Sequence, residues 1–415
     1  MKIKRIKAIE ILDSRGNPTI KSFVELENGL TGSACIPSGA STGTHEAAEL
    51  RDDNKKRYLG KGVLKAIENV NSNISKKLTG ASIENIQDID LIMIGLDGTE
   101  NKTNLGANAI LSVSLATART LAFFSKKPLW KIINEYYFTS VKPGFPRLFV
   151  NVVNGGKHAD WNFDIQEFVI SPVNNLPSES VRISSEIFHH LAKKLKEKNL
   201  SILVGDEGGY SPALNSNDEV FEYLLCAIQT AGYSKQDINL GIDAAASEFY
   251  NNSEYTLKKN NKKLSPDQLI EYYMKLNTKY GVRYFEDAFA EDDWISFAKF
   301  THDLKNNGIV IGDDLYCTNP KRIKRGIKEK TTTAVLIKVN QIGSLFETVE
   351  AIRLAQQHSL QVFISHRSGE TEDSFIADLA YGCGADFIKT GSMSRSERIA
   401  KYNRLLEIEA IEVNH

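Results

Sequence analysis

The sequence has few cysteines, and their spacing points to no shared function. The four are scattered along 415 residues and form no CxxC pair; they are Cys35, Cys226, Cys317 and Cys383. A secreted disulfide scaffold or a structural zinc site needs more cysteines at closer spacing. We therefore expect reduced thiols, as in a cytosolic protein.

An excess of either charge is also missing. Lys and Arg number 51 against 52 Asp and Glu, so the net charge is −1. This balance gives no electrostatic reason to expect nucleic acid or an anionic membrane as the main partner. Hydrophobic residues make up 41% and charged residues 25%, which is the mix of a globular protein with a substantial core.

The chain contains no uninterrupted apolar stretch of membrane-spanning length. The basic N-terminus meets charge and glycine within a few residues, so it does not have the apolar segment of a signal peptide. The most apolar stretch, Ala107 to Phe124, contains Asn108 and Arg119 and is predicted to be a buried helix. We expect a cytoplasmic protein with no membrane partner.

The pattern of the chain changes near residue 140. Two alternating apolar runs joined by DSRGNPT (13–19) predict an antiparallel sheet at the start. Helical patterns follow at Gly62–Thr79, Ser82–Gly95, Ala107–Ser125 and Pro128–Tyr137. Residues 1–135 are therefore predicted to form a smaller α+β domain, residues 141–415 a second domain, and Phe138–Pro146 the region of the linker.

In the second domain strands alternate with helices. The strands LFVNVV and QEFVISP come first, followed by amphipathic helices at about Ser178–Lys198 and Asp218–Ala231. Six short strands follow, most of them about 25 residues apart: LGID, VRYFED, IVIGDD, AVLIKVN, QVFISH and DFIKTG. Such alternation predicts a parallel sheet, and eight strands predict a closed α/β barrel with an irregular start.

Each of these six late strands ends in a residue that can bind metal, move a proton or hold an anion. The six are Asp243, Glu286, Asp313, Lys338, His366 and Lys389. The C-terminal strand ends of an α/β barrel form its active-site face, so these residues should converge there. One such residue is as often a solvated loop charge, but six in succession favour a site.

Three of the six are carboxylates on neighbouring strands. Asp243, Glu286 and Asp313 would form the oxygen-rich site that Mg²⁺ prefers, with water or substrate completing its octahedron. The adjacent acids Asp287 and Asp314 compete for this role, and spacing alone does not choose between neighbours. No Cys or His stands beside them in a zinc-like spacing.

Two lysines end strands of the same barrel mouth. Lys338 ends the apolar run AVLIKVN. Lys389 nearby, together with a divalent cation, would lower the pKa of Lys338 toward ~7–8, where an amine can act as a base. The alternative is that both lysines extend their charged ends into solvent.

Further candidates lie in two glycine- and charge-rich motifs. Glu207 in GDEGGY is a candidate general acid for a departing hydroxyl, and Glu167 in IQEF is a second; a structural hydrogen bond is the alternative for either. Arg367 and Ser368 in SHRSGE suit a phosphate.

Two loops rich in small residues suit lids that exclude water. They are NGGKHAD (154–160) and PSGASTGTHEA (37–47). Neither matches GxxxxGK[ST], so nucleotide binding is not predicted.

The ordered set of motifs resembles enolase, of the bacterial type, almost from end to end. It runs from DSRGNPT to KTGSMSRSERIAKYN (389–403) and includes SGASTG, LDGTENK, GANAILSVSLA, NGGKHAD, QEF, GDEGGY, AASEFY, GDDLYCTN, KVNQIGSL and SHRSGETED. The resemblance implies a ββαα(βα)₆ barrel below the smaller domain. It also implies a hydro-lyase that dehydrates 2-phospho-D-glycerate to phosphoenolpyruvate in glycolysis and gluconeogenesis.

The resemblance implies roles for single residues. Lys338 resembles the base that removes the C2 proton, and Glu207 the acid that helps the C3 hydroxyl leave, with Glu167 and His158 nearby. The pairing of a lysine base with Mg²⁺ is the known pattern of the enolase superfamily and is carried over from it. The implied substrate contacts are Gln166, His366, Arg367, Ser368 and Lys389, with Arg367 and Ser368 on the phosphate.

Two Mg²⁺ ions per site are implied, the second arriving with the substrate. Asp243, Glu286 and Asp313 resemble the ligands of the first, which selects Asp313 over Asp314. Ser41 resembles the loop serine that meets the second. Trp161 departs from the family, which usually has a smaller polar residue there.

Family resemblance implies a homodimer or an octamer, and a second location at the cell surface is implied only by that resemblance. Partners in RNA processing are not readable from the sequence. A sugar-acid dehydratase or racemase of the superfamily usually has a lysine pair where this chain has QEF. A paralogue acting on a phosphonate or another phosphorylated hydroxy acid stays open. A binding role with catalysis lost is opposed by the intact acid, base and metal set.

Overall fold

The computed structural model describes residues 1–39, 43–159, 161–259 and 261–413. Its N-terminal sheet has three antiparallel strands in the order β1 (Ile3–Leu12), β2 (Pro18–Leu26) and β3 (Thr31–Cys35). The sequence predicts the first two strands. It misses β3 because TGSAC has few apolar side chains to alternate, and its Gly32 instead allows the backbone to pack directly against Thr120.

Five helices follow this sheet: α1 (Leu64–Asn69), α2 (Ser75–Leu78), α3 (Ile86–Asp97), α4 (Ala107–Ser125) and α5 (Leu129–Tyr137). Helices α1, α2 and α4 contact the strands, and α3 and α5 pack on α4. A π-helical turn, Val70–Ile74, joins α1 to α2, so the predicted first helix is present but irregular. Helix α3 begins at Ile86, later than the predicted Ser82, because the Asn85 side chain accepts the N–H of Gln87 and caps the helix there.

Helix α4 has the bounds that the sequence predicts. Among the described residues it is the one helix long and apolar enough to cross a membrane, yet 83% of its most apolar stretch is buried within the protein. It packs against β2 and β3. Burial in the domain therefore accounts for its composition.

Eight strands form the closed barrel of the second domain. The chain order is β4 (Arg147–Asn154), β5 (Glu167–Pro172), β6 (Ile238–Asp243), a separate meander of β7 (Tyr250–Asn251), β8 (Glu254–Leu257) and β9 (Lys262–Leu264), then β10 (Val282–Glu286), β11 (Ile309–Gly312), β12 (Ala334–Ile337), β13 (Gln361–Ser365) and β14 (Phe387–Lys389). All barrel neighbours are parallel except β5, which is antiparallel to both β4 and β6. The predicted ββαα(βα)₆ barrel is confirmed.

Helices surround the barrel: α6 (Pro177–Glu197), α7 (Asn217–Thr230), α8 (Pro266–Tyr280), α9 (Trp294–Leu304), α10 (Pro320–Glu329), α11 (Val339–Ile342), α12 (Leu345–Gln357), α13 (Phe375–Gly382) and α14 (Ser396–Glu412). The sequence does not predict the meander β7–β9, whose strands are short and polar. The meander and α8 fill the long interval between Asp243 and Glu286.

Aromatic rings fill the barrel interior. Phe363 and Phe387 stack with their centroids 4.2 Å apart, and Phe149 and Tyr284 pack edge-on against them. A filled barrel has no pore, so its strand ends are where a ligand can bind.

Candidate active site

Polar side chains at the C-terminal face of the barrel line one cleft. Among the predicted residues, the lining includes Gln166, Glu167, Glu207, Asp243, Asp313, Lys338, His366, Arg367, Ser368 and Lys389. Glu286 is fully buried and contacts Lys389.

Lys389 is bound by three acidic side chains. Its Nζ lies 2.7 Å from Glu286 Oε1, 3.2 Å from Asp243 Oδ2 and 3.1 Å from Glu167 Oε2. Asp243 and Glu286 lie opposite each other on the paired strands β6 and β10. Burial alone would lower the pKa of Lys389, but these carboxylates raise it well above its ordinary value. Lys389 is therefore a buried ammonium.

Lys338 follows β12 directly, and its ammonium contacts a carboxylate oxygen of Asp313. Burial alone would lower the pKa of Lys338, but the charge of Asp313 raises it above its ordinary value. Burial alone would raise the pKa of Asp313, but the charge of Lys338 and its hydrogen bond lower this pKa below its ordinary value. The predicted lowering of the Lys338 pKa requires a divalent cation as well as Lys389, and this upward direction is that of the protein side chains alone. Lys389 acts in the predicted direction, and Asp313 outweighs it.

Two fully buried residues hold this pair in place. The Thr318 hydroxyl accepts the N–H of Lys338 at 2.9 Å and donates to Gln341 Oε1 at 2.7 Å. Gln341 Nε2 donates to Asp313 Oδ1 at 2.9 Å. Thr318 has φ +54°, which is uncommon for a β-branched residue. The sequence singled out neither residue, although both lie in motifs of the resemblance, GDDLYCTN and KVNQIGSL.

A second acidic group adjoins Lys338. Among the residues that the structure describes, Asp287, Asp313 and Asp314 each offer one oxygen within 4.8 Å of the others. Asp287 accepts the backbone N–H groups of Asp313 and Asp314, at 2.9 Å each, and so braces this turn. Burial and the charge of Asp313 raise the pKa of Asp314 to about 8.

The acidic groups around Lys338 and Lys389 offer carboxylate oxygens as metal ligands, and a hard divalent cation such as Mg²⁺ prefers such ligands. Of the predicted ligands, Asp313 belongs to the group of three aspartates. Asp243 and Glu286 contact Lys389, and burial together with the charges of Asp243 and Asp313 raises the pKa of Glu286.

The loop after β4 carries one predicted residue, His158, in a short 3₁₀ helix, Gly156–Ala159. The His158 side chain and all of Ser41 lie outside the described part of the chain. Trp161 has φ +59° and packs below Lys258, whose Nζ lies 3.2 Å from the ring centroid.

Glu167 and Glu207 form a pair of neighbouring buried carboxyl groups. Burial and the charge of Glu207 raise the pKa of Glu167 well above its ordinary value, because two adjacent carboxylates resist ionising together. Asn151 Nδ2 donates to Glu207 Oε2 at 3.1 Å, and His366 Nε2 faces the same oxygen at 3.4 Å. This pair can therefore retain a proton at neutral pH, as a general acid requires.

Arg367 presents an anion-binding fork to the cleft. Its two terminal nitrogens bind the two carboxylate oxygens of Glu46 at 3.0 and 3.1 Å, and Asn340 Oδ1 accepts a further bond at 2.9 Å. A phosphate would bind such a fork in the same way. The sequence missed Glu46, since nothing in its loop distinguishes it as a partner of Arg367.

Sequence models of two protein domains match the chain. The model described as "Enolase, N-terminal domain" matches residues 3–133. The model described as "Enolase, C-terminal TIM barrel domain" matches residues 143–414. Both matches fall on the parts of the fold described above, the three-stranded sheet with its helices and the closed barrel.

Proposed function

The chain belongs to the enolase family, and on that premise we propose that it dehydrates 2-phospho-D-glycerate reversibly to phosphoenolpyruvate with the help of Mg²⁺. An enolase-type hydro-lyase activity follows from the family. The observation that supports the substrate is the content of one cleft: an amine, a proton-holding carboxyl pair and a guanidinium fork.

Lys338 takes the proton from C2. A base must be neutral to accept a proton, so the charge of Asp313 has to be offset before Lys338 can act. Asp243, Glu286 and Asp313 would hold the first cation, and Ser41 would serve the second. When bound, a divalent cation supplies positive charge against the negative charge that develops on the substrate carboxylate.

Glu207, supported by Glu167, gives a proton to the C3 hydroxyl as it leaves. The two carboxyl groups share one proton more readily than they ionise together, which keeps an acid available at neutral pH. In this proposal, Arg367 and Ser368 hold the phosphate after substrate replaces Glu46 on the guanidinium. Gln166, His366 and Lys389 contact the rest of the substrate, and His158 acts near the leaving hydroxyl.

The test is an ultraviolet assay for enol phosphate formed from 2-phosphoglycerate, with Mg²⁺ and with excess chelator. We expect absorbance to rise only with Mg²⁺. Arg367 and Ser368 favour a phosphoryl group without choosing the carbon skeleton, so phosphonate and other phosphorylated hydroxy acids are assayed in parallel. Turnover of one of these and none of 2-phosphoglycerate would identify a paralogue instead.

We also propose a cytoplasmic homodimer or octamer, carried over from the family. Leu59, Ile295 and Leu203 are 88%, 83% and 77% exposed, and a second copy that covers any one of them would bury apolar surface. Light scattering coupled to gel filtration measures the mass; a monomer at micromolar concentration would contradict this proposal.

A further inference from the structure

Arg398 is fully buried below the candidate active site. It lies in the first turn of α14. Its Nη2 donates to the carbonyl oxygens of Ser368 at 2.6 Å and Asp206 at 3.1 Å, and its Nη1 donates to that of Arg367 at 2.5 Å. One guanidinium thus ties the loop after β13 to the loop that carries Glu207.

The fourth contact of Arg398 determines the protonation of a histidine. Nη1 lies 2.6 Å from Nδ1 of His366. A guanidinium has five N–H donors, no acceptor, and stays protonated. The Nδ1 atom must therefore accept with its lone pair, which places the single proton of a neutral imidazole on Nε2.

The surroundings of His366 agree with a neutral ring. Burial lowers its pKa to about 4; the charge of Arg398 acts in the same direction, and the charges of Glu207 and Glu370 oppose it. An imidazolium would set two N–H donors against each other at 2.6 Å.

We propose that Arg398 is a positioning residue for the leaving-group acid, because it holds His366 as the Nε2–H tautomer facing Glu207. The proposal deepens the proposed function and rests on it for the role of Glu207 as acid. Arg398 acts only through His366 and the two loops.

The tautomer has a consequence for the proton of the carboxyl pair. Glu207 Oε2 then meets two N–H groups, from Asn151 at 3.1 Å and from His366 at 3.4 Å. A carboxyl oxygen that already accepts two hydrogen bonds is less readily protonated than the other oxygens of the pair. The retained proton of the pair therefore lies on Glu207 Oε1 or on Glu167.

The surrounding backbone is shaped for Arg398. Gly391 has φ +79°, and a Cβ at this position would lie 2.8 Å from Arg398 Cδ and 2.9 Å from the Glu207 carbonyl oxygen. A larger residue would thus collide with both the arginine and the loop that it positions. The sequence showed Arg398 only within the SRSERIAKYN stretch of the resemblance.

The direct test measures the tautomer by ¹⁵N NMR of the Mg²⁺-loaded enzyme labelled at histidine. His366 is assigned by the signal that disappears in His366→Asn. We expect a neutral ring with the proton on Nε2 at pH 6 to 8. A proton on Nδ1, or an imidazolium at pH 7, would overturn the proposal. This readout does not depend on turnover, so it stays informative even if 2-phosphoglycerate is not the substrate.

The kinetic test uses Arg398→Met and Arg398→Lys, with Arg404→Lys on the same helix as the matched control. Arg404 pairs with Asp378 at 2.7 Å and with Glu407 at 3.0 Å. We expect Arg398→Met to slow dehydration by about 10²-fold, as misplacing a catalytic group does, with much less effect on exchange of the C2 proton. Arg398→Lys, which keeps the positive charge on a single donor nitrogen, should recover part of the rate, and the control should behave as wild type.

Equal loss of both steps in Arg398→Met, with the His366 tautomer unchanged, would make Arg398 merely structural and end the proposal. If Arg398→Met does not fold, two measurements decide the question. They are the wild-type ¹⁵N spectrum and the rates of dehydration and of C2 proton exchange in Arg398→Lys.

Discussion

Lys338 and Glu167 lie four strands apart in a closed barrel of eight, so they face each other across its mouth. Lys338 follows β12, Glu167 begins β5, and both line the same cleft. Since β5 runs antiparallel to its neighbours, its first residue lies at the same barrel face as the ends of the parallel strands. Glu167 is paired with the proposed acid, Glu207, so the proposed base and the acid pair approach a bound substrate from opposite sides.

This arrangement predicts the stereochemistry of the reaction. We expect the C2 proton and the C3 hydroxyl to leave from opposite faces. The measurement uses 2-phosphoglycerate labelled with deuterium at one C3 position, and NMR of the product then reports which vinyl position carries the label. Removal from the same face would contradict the placement of Lys338 opposite Glu167.

Replacing the proposed base should stop proton abstraction. Lys338→Ala is expected to slow loss of deuterium from C2 to water by at least about 10²-fold, the usual contribution of a positioned base. Lys321→Ala is the matched control, because Lys321 is an exposed lysine paired with Glu100. Exchange that persists in Lys338→Ala would remove it as the base.

The buried hydroxyl of Thr318 should matter for both stability and rate. Thr318→Val has nearly the same shape but leaves the N–H of Lys338 without its acceptor. We expect the free energy of unfolding to fall by about 1–3 kcal/mol and C2 exchange to slow. Thr318→Ser keeps the hydroxyl and should restore most of both. Urea unfolding and C2 exchange give the two values; identical behaviour of the Val and Ser variants would contradict a role for the hydroxyl.

A pH-dependent contribution to stability is expected from Asp90. This carboxyl accepts the N–H of Phe346 at 2.8 Å and the hydroxyl of Ser114 at 2.9 Å, and so joins α3 to the start of α12. Burial raises its pKa from 3.8 to about 7. A group whose pKa is raised on folding stabilises the folded state at low pH, and this contribution is lost as pH rises toward 7.

Asp90→Asn should therefore remove a slope that the wild type shows between about pH 4 and 7. The contribution is on the order of 4 kcal/mol. Urea unfolding of both proteins at several pH values measures the difference, which cancels the other titrating groups. Parallel pH profiles would show that the Asp90 pKa is not raised.

Much of the fold could be predicted because it follows from local patterns. Periodicity gave the bounds of α4, and the alternation of apolar strands with helices gave the barrel. The strand β3 and the meander β7–β9 were missed, since short strands with few apolar residues have no period of their own. Their pairing depends on surfaces that form only when the chain folds.

The site was predictable as far as topology determines it. Residues at the ends of parallel strands must gather at one face, which brings Asp243 and Lys389 together. The positions of Thr318, Gln341 and Arg398 were not predictable, because their contacts join segments whose approach the sequence does not state. The contact of Lys338 with Asp313, which raises the pKa of Lys338, was not predictable for the same reason: spacing does not reveal it.

The most direct measurement follows both reaction steps in Glu207→Gln, with deuterium-labelled substrate in water. If Lys338 is the base and Glu207 the acid, exchange of the C2 proton continues in this variant, while formation of phosphoenolpyruvate slows by about 10²–10⁴-fold. Equal loss of exchange and dehydration in Glu207→Gln would contradict the division of roles between Lys338 and Glu207.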